Sequence, residues 1–77
     1  MLAQLDDVSR TVGLVLGRRR VTADQRLVED LGAESADVLN IVVTLEQKYS
    51  VRFDEAEMTN VATVGDLYQL LVKTKHG

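Results

Sequence analysis

SADVLNIVVTLEQKY, residues 35–49, is the stretch on which the fold turns. Val38, Ile41, Val42 and Val43 are β-branched, which lowers helix propensity and favours a strand. Length argues the other way. The run has no glycine or proline, it is longer than an ordinary strand, and positions 38, 42, 45 and 49 recur at helical spacing. The spacing therefore predicts a helix over 35–49. Its apolar arc is wide enough to face a partner or guest molecule as well as a core.

Upstream, Leu5, Val8, Val12 and Val15, with Leu2 and Leu16, recur every three or four residues and predict a first helix from about residue 2 to 16. Gly17 supplies a left-handed cap, and Arg18 suits the negative end of the helix dipole. Residues 17–32 read as an ordered loop pinned by Val21, Leu27, Val28 and Leu31, with Thr22 and Gln25 spaced as a capping box for one short helical turn. Downstream, Val51 and Phe53 mark a short extended piece, followed by a helical turn from Asp54 to Asn60. The last helix begins with Thr63 as N-cap and Asp66 three residues on. Val64, Leu67, Tyr68 and Leu71 form its apolar stripe, and Lys73, Lys75 and His76 close it where cations are favoured. The expected architecture is all-α: one domain over 1–77, three long helices and one short, with a long loop between the first and second.

The chain has 77 residues, no cysteine and one histidine. A disulfide framework and a thiolate metal site are both excluded, and any thiol chemistry needs a borrowed thiol. Two aspartates near the start replace the basic residues of a secretory signal, and no apolar run nears the roughly 20 residues of a membrane span. A discrete, monomeric cytoplasmic protein is the expectation. The net charge of −3 is uneven: residues 1–20 carry +2 and residues 21–77 carry −5. Arg18, Arg19 and Arg20 read either as a solvated loop end or as a docking patch for an acidic surface. Nucleic-acid binding is disfavoured, because one basic triplet lacks a basic face and aromatic platforms. Asp54, Glu55 and Glu57 have no ligand-loop spacing, so no metal site is expected.

Ser35, in EDLGAESADVLN (29–40), admits three readings. It is an N-cap ahead of an apolar helical run, a nucleophile, or a site of covalent modification. The nucleophile needs a base, and the one histidine, His76, stands beside the terminal glycine.

DLGAES followed by a helix, then VRFDEAEM and TVGDLYQLL, resembles the acyl carrier protein family over nearly the whole chain. The family places Asp-Ser-Leu after a Leu-Gly pair at the start of its second helix, and Thr-Val-Gly-Asp at the start of its last. The resemblance implies a carrier, not an enzyme. Ser35 would bear 4′-phosphopantetheine through a phosphodiester, installed from coenzyme A by a magnesium-dependent phosphopantetheinyl transferase, and the working thiol would sit on that arm. A helix amino terminus favours such a phosphate.

By the same resemblance, Glu34 and Asp37 flank the arm and contact the transferase. Ala36, Val38, Leu39 and Glu46 form the docking surface for acyl-loading and acyl-processing enzymes. Val42, Leu45, Val61, Val64 and Leu67 line a cleft for the acyl chain between the second and last helices. The sequence departs from the family at Glu34 for aspartate, Ala36 for leucine or methionine, and Asn40 for an acid, while Gln47 and Lys48 thin the acidity of helix two. Reduced charge steering points to a specialised fatty-acid, lipid or polyketide carrier. Two rivals stay open: an aminoacyl or peptidyl carrier, whose Gly-Gly motif Ala33 breaks, and an unmodified interaction module of the same fold.

Overall fold

The structure is a computed structural model that describes residues 4–76, so Met1–Ala3, with the predicted contribution of Leu2, and Gly77 lie outside it, as does the side chain of His76. Four helices follow in order: α1 (Leu5–Leu16), α2 (Ser35–Tyr49), α3 (Glu55–Met58) and α4 (Val64–His76). Among the described residues there is no strand, only an isolated antiparallel bridge between Arg26 and Thr63.

The ambiguous stretch is helical because burial outweighs β-branching. Ile41, Leu45 and Tyr49, at spacing four, are buried as one stripe of α2 against the core. Val38 and Val42 flank it half-buried. In α1 the matching stripe is Val8 and Val12, both fully buried, and in α4 it is Val64, Leu67 and Leu71. Gly17 ends α1 at φ 68°, and the Arg18 N–H reaches back 2.8 Å to the Gly13 carbonyl, closing the expected left-handed cap.

α1 packs on both α2 and α4. Near its start, Asp7 accepts hydrogen bonds from Lys48 Nζ and the Tyr49 hydroxyl at the end of α2, so the two helices run antiparallel. Lys75 Nζ donates to the Tyr49 carbonyl at 3.2 Å and brings the end of α4 to the same pole. Ser35 lies at the opposite pole, where the Arg18 guanidinium donates to the Leu31 carbonyl at 3.3 Å.

Two expectations for the loop need correction. Val28 does not pin it, being 63% exposed, whereas Leu27, Leu31 and Ala33 are buried. Thr22 and Gln25 do bond, Thr22 N–H to Gln25 Oε1 at 2.9 Å, but around a turn that starts no helix. The backbone there is committed elsewhere. Leu27 N–H donates to the Ala62 carbonyl at 2.9 Å, Val64 N–H to Gln25 at 3.0 Å, and Gly65 N–H to Ala23 at 2.8 Å. Alternate residues 23, 25 and 27 thus stitch the loop to the start of α4, an arrangement that a helical turn would break.

α3 is shorter than the turn expected over 54–60. Asp54 caps it, accepting the Ala56 N–H at 2.9 Å. The Thr63–Asp66 box forms in full: Asp66 Oδ2 accepts the Thr63 N–H at 3.1 Å, and Thr63 Oγ1 accepts the Asp66 N–H at 3.0 Å. Asp66 also accepts the Ala62 N–H at 3.0 Å. These backbone donors hold its carboxyl below the ordinary carboxylate pKa.

Candidate functional site at the start of helix two

The approach to Ser35 is fixed residue by residue. Leu31 and Ala33 are buried, and Gly32 between them turns the chain at φ 68°, a conformation that costs glycine little. Ala33 N–H donates to the Leu27 carbonyl at 2.8 Å. Glu34 leaves this turn extended, with φ −93° and ψ 170°, and is the N-cap of α2. Asp37 Oδ2 accepts the Glu34 N–H at 3.0 Å.

Ser35 is therefore not the cap. It is the first helical residue, because the pair that staples the helix start is Glu34 with Asp37, one position earlier than a serine cap requires. Its side chain is exposed, and its hydroxyl has no hydrogen-bond partner among the described residues. The N–H groups of the first turn lack intrahelical acceptors, so an anionic ester on this hydroxyl meets donors and the positive end of the dipole. Among the described residues no base is hydrogen-bonded to the Ser35 hydroxyl. α4 ends with His76 at the Tyr49 pole, and the rise of α2 separates that pole from Ser35 by about 20 Å.

Ser35 borders a cavity of about 470 Å³ whose walls include Val38, Leu39, Val42, Phe53 and Met58, with Glu46, Arg52 and Glu55 at its polar edge. A second cavity of about 300 Å³ lies beyond Val38 and Met58, lined also by Leu27, Val28 and Val61. Of the residues expected in an acyl cleft, Val42 lines the first cavity and Val61 the second. Leu45, Val64 and Leu67 are fully buried core and line neither. Met58, Phe53, Leu27 and Val28 were not among the residues expected there from sequence. The thioether of Met58 in an otherwise acidic turn is the signal that was available, since methionine suits irregular gaps.

The expected docking residues divide similarly. Ala36 and Leu39 are exposed, Leu39 at 62%, while Val38 is half-buried. Glu46 serves the fold as well, because its Oε2 accepts the Phe53 N–H at 2.8 Å and ties the segment after α2 to the helix. Glu34 is exposed and Asp37 half-buried beside Ser35. Asp54 is used in capping α3, and Glu57 pairs with Lys73. Among the described residues no three His, Cys, Asp or Glu side chains are grouped to hold a metal ion.

Fold and site together define a small helical bundle that presents one serine hydroxyl at a helix start beside an apolar cavity. The family profile described as "Phosphopantetheine attachment site" matches residues 6–71. An acyl carrier protein of Wolinella succinogenes is 34% identical over 96% of this chain and 100% of its own length. One from Sulfurovum sp. is 36% identical over 91% and 96%. Among solved structures, a Mycobacterium tuberculosis protein assigned as an acyl carrier protein superposes with a TM-score of 0.85 at 28% identity, covering 90% of this chain and 95% of that one. The chain belongs to the acyl carrier protein family of phosphopantetheine-binding proteins. Members of this family are carriers and not catalysts. They bear 4′-phosphopantetheine and are served by a phosphopantetheinyl transferase and acyl-processing enzymes. Among the described residues, no helix is long and apolar enough to cross a membrane.

Proposed function

We propose that Ser35 is the attachment hydroxyl and that the domain tethers acyl intermediates as thioesters in a specialised fatty-acid, lipid or polyketide pathway. The observation that carries this reading is the exposed, unbonded Ser35 at the first position of α2, opening onto the cavity of about 470 Å³. When attached, the prosthetic group supplies the thiol that a cysteine-free chain lacks. During loading, Ser35 Oγ bonds to the phosphorus that carries the pantetheine in coenzyme A. The pyrophosphate P–O bond breaks, adenosine 3′,5′-bisphosphate leaves, and the hydroxyl proton passes to a base on the transferase.

The protein's part is positioning. Glu34 and Asp37 lock the helix start so that Ser35 is held in one orientation, and they offer the transferase two carboxylates beside the target. The N–H groups of Ser35 and Ala36, which have no intrahelical acceptor, favour the negative phosphodiester. Val38, Val42, Met58 and Val61 offer apolar walls to an acyl chain, and Ala36, Val38, Leu39 and Glu46 form the contact surface for partner enzymes. Tethering raises the effective concentration of cargo for successive enzymes to the order of millimolar.

The test is intact mass after incubation with coenzyme A, magnesium and a broad-specificity phosphopantetheinyl transferase, with Ser35→Ala in parallel. Wild type gains one phosphopantetheine and Ser35→Ala, equally helical by circular dichroism, gains none. Loading of Ser35→Ala at the wild-type rate overturns the assignment. Refusal of wild type by several transferases favours the unmodified interaction module.

A further inference from the structure

The arginine triplet that follows α1 is divided by the fold. Arg18 is spent on the Leu31 carbonyl, 3.3 Å away, whereas Arg19 and Arg20 turn back along α1 and meet Arg10 around a cavity of about 320 Å³. Asp6, Ser9 and Thr22 complete its polar lining, so three guanidinium groups face one carboxylate. Arg10, Arg19 and Arg20 are exposed, and among the described residues none of them is in an ion pair. Like charges converge here with only partial compensation, from Asp6 in the lining and Asp7 beside Arg10, on a protein whose net charge is −3. An anionic occupant relieves that repulsion, and guanidinium forks match carboxylates in geometry as well as charge.

The exposed residues of α2, by contrast, are uncharged at Ala36, Leu39, Asn40, Val43, Thr44 and Gln47, and the exposed charge of Lys48 is paired with Asp7. Concentrated positive charge therefore sits on the arginine side, joined to the Ser35 pole through Arg18 and Leu31. We infer that Arg10, Arg19 and Arg20 form a docking surface for an acidic stretch of a partner protein. Its guanidinium groups lie open on the surface, which suits an extended run of carboxylates, whereas a small ion is held by enclosed donors. Open charges of this kind accelerate encounter and select partners, and a basic partner surface meets like charge here.

This inference needs no group on Ser35, so the unmodified chain tests it and its fate is separate from the loading assay. The probe is a fluorescein-labelled oligoglutamate peptide followed by fluorescence anisotropy at low and at physiological salt. Net charge alone predicts repulsion; the cluster predicts saturable one-to-one binding that weakens as salt shortens the screening length to about 8 Å. Arg10→Gln/Arg19→Gln/Arg20→Gln together weaken binding about tenfold, while Lys73→Gln, outside the cluster, leaves it within about twofold. All three side chains are exposed, so the triple variant keeps its helical circular dichroism; if it does not, Arg20→Gln alone is measured and must still weaken binding. No binding by wild type, equal binding by the cluster variants, or displacement of the peptide by equimolar inorganic phosphate overturns the proposal.

Discussion

Gly13 lies buried inside α1, where a Cβ would stand 2.7 Å from the Arg18 carbonyl oxygen. That oxygen belongs to the backbone of the turn that caps the helix, so it cannot swing aside as a side chain would. Gly13→Ala improves local helix propensity by about 1 kcal/mol, yet overpacking against backbone costs about 1–3 kcal/mol. We expect a net loss of stability, read as a lower urea midpoint; an unchanged midpoint would show that the turn yields freely. Ser50 presents the opposite case. It holds φ 55° after α2, the one non-glycine in the left-handed region among the described residues, with Val51 N–H bonding back to the Glu46 carbonyl at 3.1 Å. Ser50→Gly removes a left-handed penalty of about 1–2 kcal/mol at some cost in chain entropy, so a gain of about 0.5–1 kcal/mol is expected from thermal unfolding. Destabilisation instead would mean that the Ser50 side chain contributes more than its backbone costs.

Among the elements, α4 depends most on its first turn. Thr63 and Asp66 cap each other, Val64 is fully buried, and Gly65 admits the Ala23 carbonyl, which a Cβ would meet at 3.1 Å. The four residues Thr-Val-Gly-Asp thus do one job: they start the helix and bind the loop to it. Asp66→Ala is expected to cost about 1 kcal/mol at neutral pH, measured by denaturant unfolding. The sign of its pH dependence follows from its lowered folded pKa. The carboxylate's contribution is complete above the unfolded value and is lost as pH falls through the folded one, so the gap between wild type and Asp66→Ala narrows below about pH 4. A gap that does not narrow at all between about pH 4 and about pH 2 would refute the cap as its source. Asp7 behaves alike, its carboxyl held low first by the Lys48 hydrogen bond and then by Tyr49, so acid also loosens the clasp between α1 and α2.

For the molecule as a whole, thirteen buried apolar residues make one core, and Phe53 and Tyr49 are its only aromatic side chains among the described residues. A domain of this size has a total stability of about 4–12 kcal/mol, so one cavity is a large fraction of it. Leu67, fully buried between the helices, is the residue to test. Leu67→Ala should cost about 2–5 kcal/mol in urea unfolding with an unchanged slope. A loss below about 1 kcal/mol would mean that the core collapses around the deletion. Because Leu67 lines neither cavity beside Ser35, the same variant separates stability from cargo binding.

Local signals were enough to locate several helix ends, though not the start of α1, which lies at Leu5, nor the end of α3, which lies at Met58. Gly17, Asp54 and the Thr63–Asp66 pair are short-range devices whose partners lie within a few residues, and periodicity identified the buried faces of α1 and α4. Ser35 as the proposed attachment residue was legible only through motif resemblance, since nothing about Ser35 in isolation separates a cap from a modified hydroxyl. Other features depend on residues distant in sequence. Thr22 and Gln25 form a turn because the backbone beyond them is claimed by residues 62–65. Val28 is exposed because Leu27 and Leu31 take the inward positions, and the cavity walls need Met58 and Phe53 brought against α2. Sequence by itself determined the helices and the caps at Gly17, Asp54 and Thr63, because hydrogen bonds within one turn and an apolar stripe suffice for both. Tertiary structure alone decided where the loop runs, which apolar residues are wall rather than core, and that Arg10 joins Arg19 and Arg20, because long-range packing sets all three.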